Sequence, residues 1–405
     1  MATVVIAGAG QAGYQTAAGL RQDGFDGRVV LVGDEPGLPY QRPPLSKTYL
    51  SGHVTADGVR LRGQEFFADN GIELVTGHRI TGIDRAARRV RLDSGDVDYD
   101  HLVLALGACN RPLPVPGADL PGVVGLRTVA EADVLRDRLS SARDVVVVGA
   151  GFIGLEFASV ARDAGVAVTV VEAKPRVLSR VVSEPTSEFF ARLHSSRGVR
   201  LLLGTGVARV LGEERATGVE TTDGSRIEAD LVVVAIGVRP NTDLAEQAGL
   251  AVDDGVVVDE HLRTCDPAIS AIGDCARFPT PHADAPVRLE SVQNAIDQAR
   301  CVSASLTGNA RAYAAVPWFW SDQGSAKLQI AGLTTGHDRT IVRGDVDEGR
   351  FSVFCYRGKR LLGAESVSRA ADHMAVRRLL TAEAPLDPEQ AADPSFDLKS
   401  YSRGR

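Results

Sequence analysis

Two glycine fingerprints of the form Gly-x-Gly-x-x-Gly lie in this chain of 405 residues. The first covers residues 8–13 and the second covers residues 149–154. In each, one glycine allows a tight turn, one lets the backbone approach a pyrophosphate, and one lets a helix pack closely on a strand. One match alone would be weak evidence, because glycine-rich turns occur in many α/β folds. Two matches in the same context predict two dinucleotide sites, with cofactor-binding positions at Gly8, Gly10, Ala12, Gly13, Gly149, Gly151 and Gly154.

An acidic residue follows the strand after each fingerprint, where a carboxylate can accept hydrogen bonds from the hydroxyls of a ribose. Glu172 is that residue in the second unit, 23 positions beyond Gly149 and near the spacing of dinucleotide-binding folds. In the first unit the residue is Asp34 or Glu35, and the sequence leaves both open. A carboxylate at Glu172 would repel the 2′-phosphate of NADPH, so we expect NADH to be preferred.

The residues around both fingerprints predict the strand-turn-helix units that hold such sites. Runs of β-branched residues at 3–7 and 144–148 lead into the glycines, and apolar, helix-like segments follow them. A proline-rich connector at 111–117 cannot be helical and separates the two units. From about residue 315 the pattern changes to short strand-like runs separated by glycines. We therefore predict an α/β fold class, with two Rossmann-type dinucleotide-binding domains and a small α+β C-terminal domain.

The predicted domain limits follow these changes of pattern. A buried strand followed by Gly273 and Asp274 suggests that the chain returns to the first domain after the second one. The polar stretch beyond Pro388 has little pattern, and we expect it to be loosely ordered. The predicted segments are residues 1–111 and 241–314 as the two parts of a first dinucleotide-binding domain, 112–240 as the second, and 315–405 as the C-terminal domain.

Composition and charge argue against several classes of protein. A formal net charge of −7 argues against nonspecific nucleic-acid binding, which needs a basic surface. Residues 315–405 hold 13 Lys and Arg against 12 Asp and Glu, so that segment has a net charge of +1 and the remainder a net charge of −8.

The five cysteines are scattered without a Cys-x-x-Cys pair, so we expect neither a disulfide framework nor a metal site. The first strand begins at Thr3 without a leader, and the apolar run 145–161 is too short to span a bilayer, so we expect a cytoplasmic protein that does not bind membranes.

Six motifs spread over nearly the whole chain resemble one family, the FAD-dependent, NADH-using ferredoxin reductases of bacterial monooxygenase and dioxygenase systems. The resemblance implies a glutathione-reductase-like fold, with FAD in the first dinucleotide-binding domain and NADH in the second. It also implies that the electron acceptor is a 2Fe-2S ferredoxin. The motifs occupy residues 8–13, 43–47, 149–156, 273–276, 290–295 and 318–323.

The resemblance also implies roles for single side chains. Lys47 would lie beside the flavin and stabilise its anionic reduced form, with Glu156 as its partner. Trp320 would cover the flavin ring. Asp274 would accept a hydrogen bond from a ribityl hydroxyl of FAD, and the backbone at Val292 would reach the pyrimidine edge of the flavin. The residues alone leave simpler structural roles open for these side chains. Lys47 could be a solvated lysine, Glu156 a glutamate that interacts with a helix dipole, Trp320 a core tryptophan, and Asp274 a helix cap. Further cofactor-binding positions that the resemblance implies are Arg42, Ile80, Arg127 and Gly237.

One departure from the family pattern, one excluded chemistry and two alternatives accompany this interpretation. The family pattern Ala-Thr-Gly reads Ala105-Leu106-Gly107 here, so Leu106 is left out of the expected site. Segment 38–47 contains no cysteine, which excludes the thiol relay of disulfide oxidoreductases with this fold. A rubredoxin reductase or another NADH-dependent FAD oxidoreductase is the enzymatic alternative. The alternative outside the enzymes is a binding protein similar to apoptosis-inducing factor. A basic surface and a targeting leader would favour that alternative.

Overall fold

The computed structural model describes residues 1–404, and the chain divides into two compact units. The first unit contains residues 1–41, 57–109 and 239–315. The second unit contains residues 42–56, 110–238 and those from 316 on. The domain limits given above stay a prediction, which limited proteolysis can test.

The strands are β1 (Thr3–Ala7), β2 (Arg28–Gly33), β3 (Ile72–Thr76), β4 (Ile80–Asp84), β5 (Arg89–Leu92), β6 (Gly95–Asp98), β7 (His101–Leu104), β8 (Ala108–Asn110), β9 (Val123–Val124), β10 (Asp144–Val148), β11 (Ala167–Glu172), β12 (Arg200–Leu203), β13 (Val207–Leu211), β14 (Gly218–Thr221), β15 (Arg226–Glu228), β16 (Leu231–Val234), β17 (Val238–Pro240), β18 (Val256–Val257), β19 (Ile269–Ala271), β20 (Ala276–Arg277), β21 (Trp318–Gln323), β22 (Ala326–Gly332), β23 (Arg339–Asp345), β24 (Arg350–Arg357) and β25 (Arg360–Val367). The α-helices are α1 (Gln11–Gln22), α2 (Gln64–Asp69), α3 (Val129–Leu139), α4 (Phe152–Asp163), α5 (Glu184–Ser196), α6 (Asp243–Gln247), α7 (Val292–Leu306), α8 (Ala370–Thr381), α9 (Pro388–Ala392) and α10 (Leu398–Arg403). Short 3₁₀ helices cover Pro43–Ser46, Asp57–Val59 and Gly273–Cys275.

A parallel sheet forms the centre of the first unit, with strand order β19-β7-β1-β2-β3. Its strands are rich in valine, leucine and isoleucine because both faces of a parallel sheet are covered. Helices α1 and α7 pack against each other, and a Cβ added to Gly19 would lie 2.6 Å from Oγ of Ser303. A side chain at position 19 would therefore require Ser303 to shift. The first fingerprint therefore joins β1 to a helix held firmly on the core.

The second unit repeats this arrangement and adds an antiparallel sheet. Its parallel sheet has the order β12-β11-β10-β16-β9, and the second fingerprint joins β10 to α4. The antiparallel sheet has the order β21-β22-β25-β24-β23, and α8 packs against two of its strands. Among the described residues, no helix is long and apolar enough to cross a membrane.

The expectation that the chain beyond Pro388 is loosely ordered is wrong. Two short helices, α9 and α10, occupy this stretch, and Leu398 is buried in the core of the antiparallel-sheet domain. The guanidinium of Arg343, which is 4% exposed, donates to the carbonyl oxygens of Asp393 and of Phe396, the latter at 2.8 Å. A buried cation needs such acceptors, and here the tail supplies them. Local pattern could not reveal this, because the partner lies about fifty positions earlier in the chain.

A buried histidine makes the stability of the second unit depend on pH. His373 on α8 is 1% exposed and packs edge-on against Trp318, with ring centroids 5.6 Å apart. Neither ring nitrogen has a hydrogen-bond partner among the described residues. Burial, together with the nearby charge of Arg377, lowers the pKa of His373 to about 4. An unfolded chain binds the proton near pH 6.5, so the contribution of neutral His373 is complete above that pH and is lost as the pH falls toward 4.

We expect the free energy of unfolding to fall by about 2 kcal/mol between pH 7 and pH 4.5 through this one group. Replacing His373 by phenylalanine keeps a ring against Trp318 and removes the titration. The free energy of unfolding of the variant should therefore fall by about 2 kcal/mol less than that of the wild type over the same pH range. Urea unfolding at the two pH values measures the difference. The control is His53→Phe, because His53 is exposed. Equal pH dependence in wild type and His373→Phe would show that the histidine does not titrate in this way.

Candidate functional site

The first fingerprint has the backbone geometry of a dinucleotide site. Gly8 has φ +117°, and a Cβ added there would lie 2.2 Å from the carbonyl oxygen of Ala105. A Cβ added to Gly13 would lie 1.8 Å from the carbonyl oxygen of Gly8, so both positions exclude any side chain. Gly10 differs, since a Cβ there would meet no described atom within 4 Å. Gly10 is also the N-cap of α1, and no described side chain caps the helix, so its N-terminal amides are available to a pyrophosphate.

The second fingerprint repeats these contacts. Gly149 has φ +105° and would place a Cβ 2.5 Å from the carbonyl oxygen of Ala235. A Cβ on Gly154 would lie 2.2 Å from the carbonyl oxygen of Gly149. The middle glycine, Gly151, is again open, with its nearest described atom at 4.0 Å, and it is the uncapped N-cap of α4. The residues present therefore fit two dinucleotides, one in each unit.

Glu172 is fixed at the second fingerprint by the backbone. It ends β11, and its Oε2 accepts from the N–H of Ala150 at 2.7 Å while its Oε1 accepts from the N–H of Lys174 at 2.8 Å. A carboxylate offers about four acceptor positions, so both oxygens can still accept ribose hydroxyls. A Cβ added to Gly237 would lie 3.2 Å from a guanidinium nitrogen of Arg180, so this glycine also allows a close approach.

In the first unit, strand register places Gly33 at the position that corresponds to Glu172. Asp34 and Glu35 come one and two residues later. The side chain of Asp34 is 62% exposed and lies 3.6 Å from the guanidinium of Arg79. Glu35 accepts a hydrogen bond from the hydroxyl of a nearby tyrosine. Both acids stay predicted ribose ligands.

Asp274 lies close to the first fingerprint. It follows Gly273, which has φ +73° and would place a Cβ 3.2 Å from Cβ of Ala12. The N–H of Gly273 donates to the buried Oε1 of Gln298 on α7 at 2.7 Å, which ties the 3₁₀ helix to that helix. Val292 is the first residue of the same helix. Three predicted FAD positions, Ala12, Asp274 and Val292, are thus carried by elements that contact one another, whereas Ile80 begins β4 in a separate antiparallel sheet.

A buried ion pair joins Lys47 and Glu156 in the second unit. Nζ of Lys47 lies 2.6 Å from Oε2 of Glu156, and the side chains are 18% and 3% exposed. Oε2 also accepts from Oγ of Ser46 at 2.5 Å, and Oε1 accepts from Oγ of Ser321 at 2.6 Å. These donors offset the loss of hydration that burial of a carboxylate entails. The pair is therefore neither a solvated lysine nor an exposed helix-dipole glutamate.

The remaining predicted residues of the second unit fall into two places. Arg42 contacts Arg127, since its Nη1 donates to the carbonyl oxygen of Arg127 at 2.7 Å. Trp320 is half-buried in β21, with its ring centroid 5.6 Å from that of Trp318. Neighbouring residues of a strand point to opposite faces, so Trp320 and Ser321 lie on opposite faces of β21. Trp320 is thus on the face of the strand that does not contact Glu156.

Sequence reasoning missed four polar residues around the ion pair. Two of them, Ser46 and Ser321, contact Glu156, and Gln323 and His194 extend the hydrogen bonds beyond Ser321. Polar residues inside the two otherwise apolar motifs at 43–47 and 318–323 were the available signal. Within residues 1–404 all five cysteines are free, and no group of three His, Cys, Asp or Glu could hold a metal ion.

The chain matches the family model of the pyridine nucleotide-disulphide oxidoreductases over residues 2–299. It belongs to this family. A second model, that of the reductase C-terminal domain, matches residues 318–402. The two models together confirm the predicted fold class of two dinucleotide-binding domains and a C-terminal α+β domain. The protein is accordingly an FAD-dependent oxidoreductase that uses NAD(H).

Three relatives confirm the more specific resemblance to ferredoxin reductases. Rhodocoxin reductase of Rhodococcus erythropolis is 55% identical over 399 residues, which are 98% of this chain and 93% of the relative. The crystal structure of the ferredoxin reductase for the CYP199A2 system from Rhodopseudomonas palustris has a TM-score of 0.97 and 51% identity, covering 99% of this chain and 100% of that one. The crystal structure of the covalent putidaredoxin reductase-putidaredoxin complex has a TM-score of 0.97 and 41% identity, covering 100% and 99%.

Proposed function

We propose that this protein is an NADH-dependent ferredoxin reductase, which passes electrons from NADH through FAD to a 2Fe-2S ferredoxin that serves a monooxygenase or dioxygenase. The observation that carries the proposal is likeness over the full chain to reductases named for rhodocoxin and in a solved complex with putidaredoxin. The paired fingerprints support it, because the reaction needs one site for a flavin dinucleotide and one for a nicotinamide dinucleotide.

The first unit would hold FAD. The backbone amides at the start of α1, beside Gly10, would bind the pyrophosphate. Asp274 would accept a hydrogen bond from a ribityl hydroxyl, and the N–H of Val292 would donate to the pyrimidine edge of the flavin. When bound, FAD accepts a hydride from NADH and gives up the two electrons singly to an iron-sulfur protein. Further positions assigned to cofactor binding, as proposals, are Asp34, Glu35, Arg42, Ile80, Arg127 and Gly237.

The second unit would hold NADH, with Gly151 at its pyrophosphate and Glu172 at its ribose. Lys47 would stabilise negative charge that appears during hydride transfer, and Glu156 would hold the lysine in place. Trp320 would shield the flavin ring from water. We also propose that the protein works in the cytoplasm, since its five cysteines, all described, are free, as is usual in a reducing compartment.

We expect a yellow protein from which heat releases FAD, and a matched pair of alanine variants should separate the two sites. In Gly10→Ala and Gly151→Ala the new methyl group meets almost nothing in the protein, so both should fold. Gly10→Ala should lose about tenfold in affinity for FAD, because the methyl group occupies the space of the pyrophosphate. Gly151→Ala should keep FAD and lose about tenfold in affinity for NADH.

Flavin absorbance after dialysis and titration with NADH measure the two affinities. Recovery of FMN, or a covalently attached flavin, would contradict FAD as the noncovalent cofactor. The reverse pattern, in which Gly10→Ala weakens binding of NADH and Gly151→Ala weakens binding of FAD, would contradict the assignment. It would place NADH in the first unit and FAD in the second.

Docking of an acidic ferredoxin should depend on salt. The excess negative charge lies outside residues 315–405, so we expect a local face of arginine and lysine, to which the C-terminal domain contributes. Steering by such charges is screened by ions, and turnover with a matched ferredoxin should fall about tenfold as ionic strength rises from about 0.01 to about 0.5 M. A neutral quinone as acceptor should show little change. Equal responses would place the salt effect in the reaction with NADH and contradict electrostatic docking.

A further inference from the structure

A line of buried hydrogen bonds leads away from Glu156 on the side opposite Lys47. Oγ of Ser321 donates to Oε1 of Glu156 at 2.6 Å. Nε2 of Gln323 donates to Oγ of Ser321 at 3.1 Å, and Oε1 of Gln323 lies 2.8 Å from Nε2 of His194. Each of these three residues is 0% exposed. The line connects α4, β21 and α5, all in the second unit.

The hydrogens in this line have one consistent order. Ser321 gives its hydrogen to Glu156, so its oxygen accepts from the amide nitrogen of Gln323. The oxygen of Gln323 must then accept from an N–H at Nε2 of His194. Nδ1 of His194 is buried without a partner among the described residues, which suits the neutral tautomer, and burial lowers the pKa of this histidine. Every donor in the line therefore points toward the carboxylate.

The line supplies what the ion pair lacks. Lys47 and Ser46 both bind Oε2 of Glu156, so without Ser321 the buried Oε1 would have no hydrogen-bond partner among the described residues. A carboxylate held through one oxygen can rotate about its side chain, whereas one held through both has a fixed plane. Gln323 and His194 in turn fix the direction of the Ser321 hydroxyl, which alone could rotate toward other acceptors.

We propose that Ser321, Gln323 and His194 are positioning residues that hold the Glu156 carboxylate oriented toward Lys47, and so set the rate of flavin reduction. The proposal rests on the function given above, in which NADH gives up a hydride to FAD and becomes NAD⁺. No other reactant is needed, since the hydride carries both electrons and its proton. Because all three residues are 0% exposed, we expect them to act through Glu156 rather than by contact with either cofactor.

The first test measures flavin reduction by NADH in the holoenzyme by stopped-flow absorbance. Ser321→Ala should lower the limiting rate constant about tenfold and leave the dissociation constant for NADH within about twofold, because loss of one hydrogen bond to a charged group has about this effect. Gln323→Met, which keeps side-chain length, should lower it about threefold. The matched control is Ser159→Ala on α4, since this buried hydroxyl has no partner among the described residues and its loss should change nothing.

A double-mutant cycle separates positioning from general damage to the fold. In a Glu156→Gln background, Ser321→Ala should have no further effect, since its role passes through the carboxylate. Independent, multiplying effects of the two substitutions would overturn the proposal. If Ser321→Ala does not fold, Gln323→Met in the same two backgrounds gives the same decision.

A readout independent of turnover is the acylation of Lys47 in the oxidised protein without NADH, measured by mass spectrometry against the exposed Lys174. Ser321→Ala should label Lys47 several times faster than wild type, because its carboxylate partner is less firmly held. Unchanged labelling together with unchanged reduction would overturn the positioning role. A wild-type protein that NADH does not reduce would instead overturn the proposed function, and the labelling result would still decide the role of Ser321.

Discussion

Replacing Glu172 by serine is expected to lower the preference for NADH over NADPH by about a hundredfold. Backbone N–H groups of Ala150 and Lys174 hold the carboxylate in one place, at 2.7 and 2.8 Å. Its charge would lie where NADPH carries the 2′-phosphate, and such a clash amounts to a few kcal/mol. Serine removes the charge and leaves a small donor for the phosphate.

The values of kcat/KM for both cofactors, in wild type and variant, measure this preference. Glu188→Ser on α5 is the control, because it removes an exposed carboxylate elsewhere in the same unit. Equal kcat/KM for NADH and NADPH in the wild-type protein would show that Glu172 does not bind the ribose.

Replacing Lys47 by alanine is expected to slow flavin reduction by NADH about a hundredfold, while FAD is retained. A preorganised cation that meets charge developing in the reaction contributes an effect of this size. Lys47 is suited to this because its ammonium group is held 2.6 Å from a buried carboxylate and its side chain is only 18% exposed.

Stopped-flow absorbance of the flavin measures the rate, and Lys47→Arg tests the charge, since it should recover part of the loss. Lys174→Ala, which removes an exposed lysine, should behave as wild type. An unchanged reduction rate in flavin-loaded Lys47→Ala would remove Lys47 from the catalytic residues.

Features that depend on local sequence could be predicted here. Each fingerprint has its own strand, glycines and helix within about twenty residues, so its turn and its open middle glycine follow from local sterics. The likeness of the motifs to a known family then brought Lys47 and Glu156 together, although they lie 109 positions apart.

Features that depend on long-range packing could not be predicted. Ser321 reaches Glu156 across 165 positions, and His194 reaches Gln323 across 129, so the neighbouring sequence does not indicate which partner each polar residue contacts. The order of the tail beyond Pro388 could not be predicted for the same reason, because Arg343, whose guanidinium anchors it, lies on β23. Strand register likewise revealed that Gly33 stands at the position of Glu172, whereas spacing alone pointed to the acids that follow.

The proposed function is tested most directly by anaerobic electron transfer from NADH to a 2Fe-2S ferredoxin, with the purified holoenzyme in catalytic amount. Visible absorbance follows the iron-sulfur cluster, and a rubredoxin and oxygen serve as competing acceptors in parallel assays. We expect two ferredoxin molecules to be reduced for each NADH oxidised, at a rate well above that with rubredoxin or oxygen, because NADH releases two electrons and the cluster accepts one. Failure to reduce any ferredoxin of a panel, while rubredoxin is reduced rapidly, would contradict the proposal and identify a rubredoxin reductase instead.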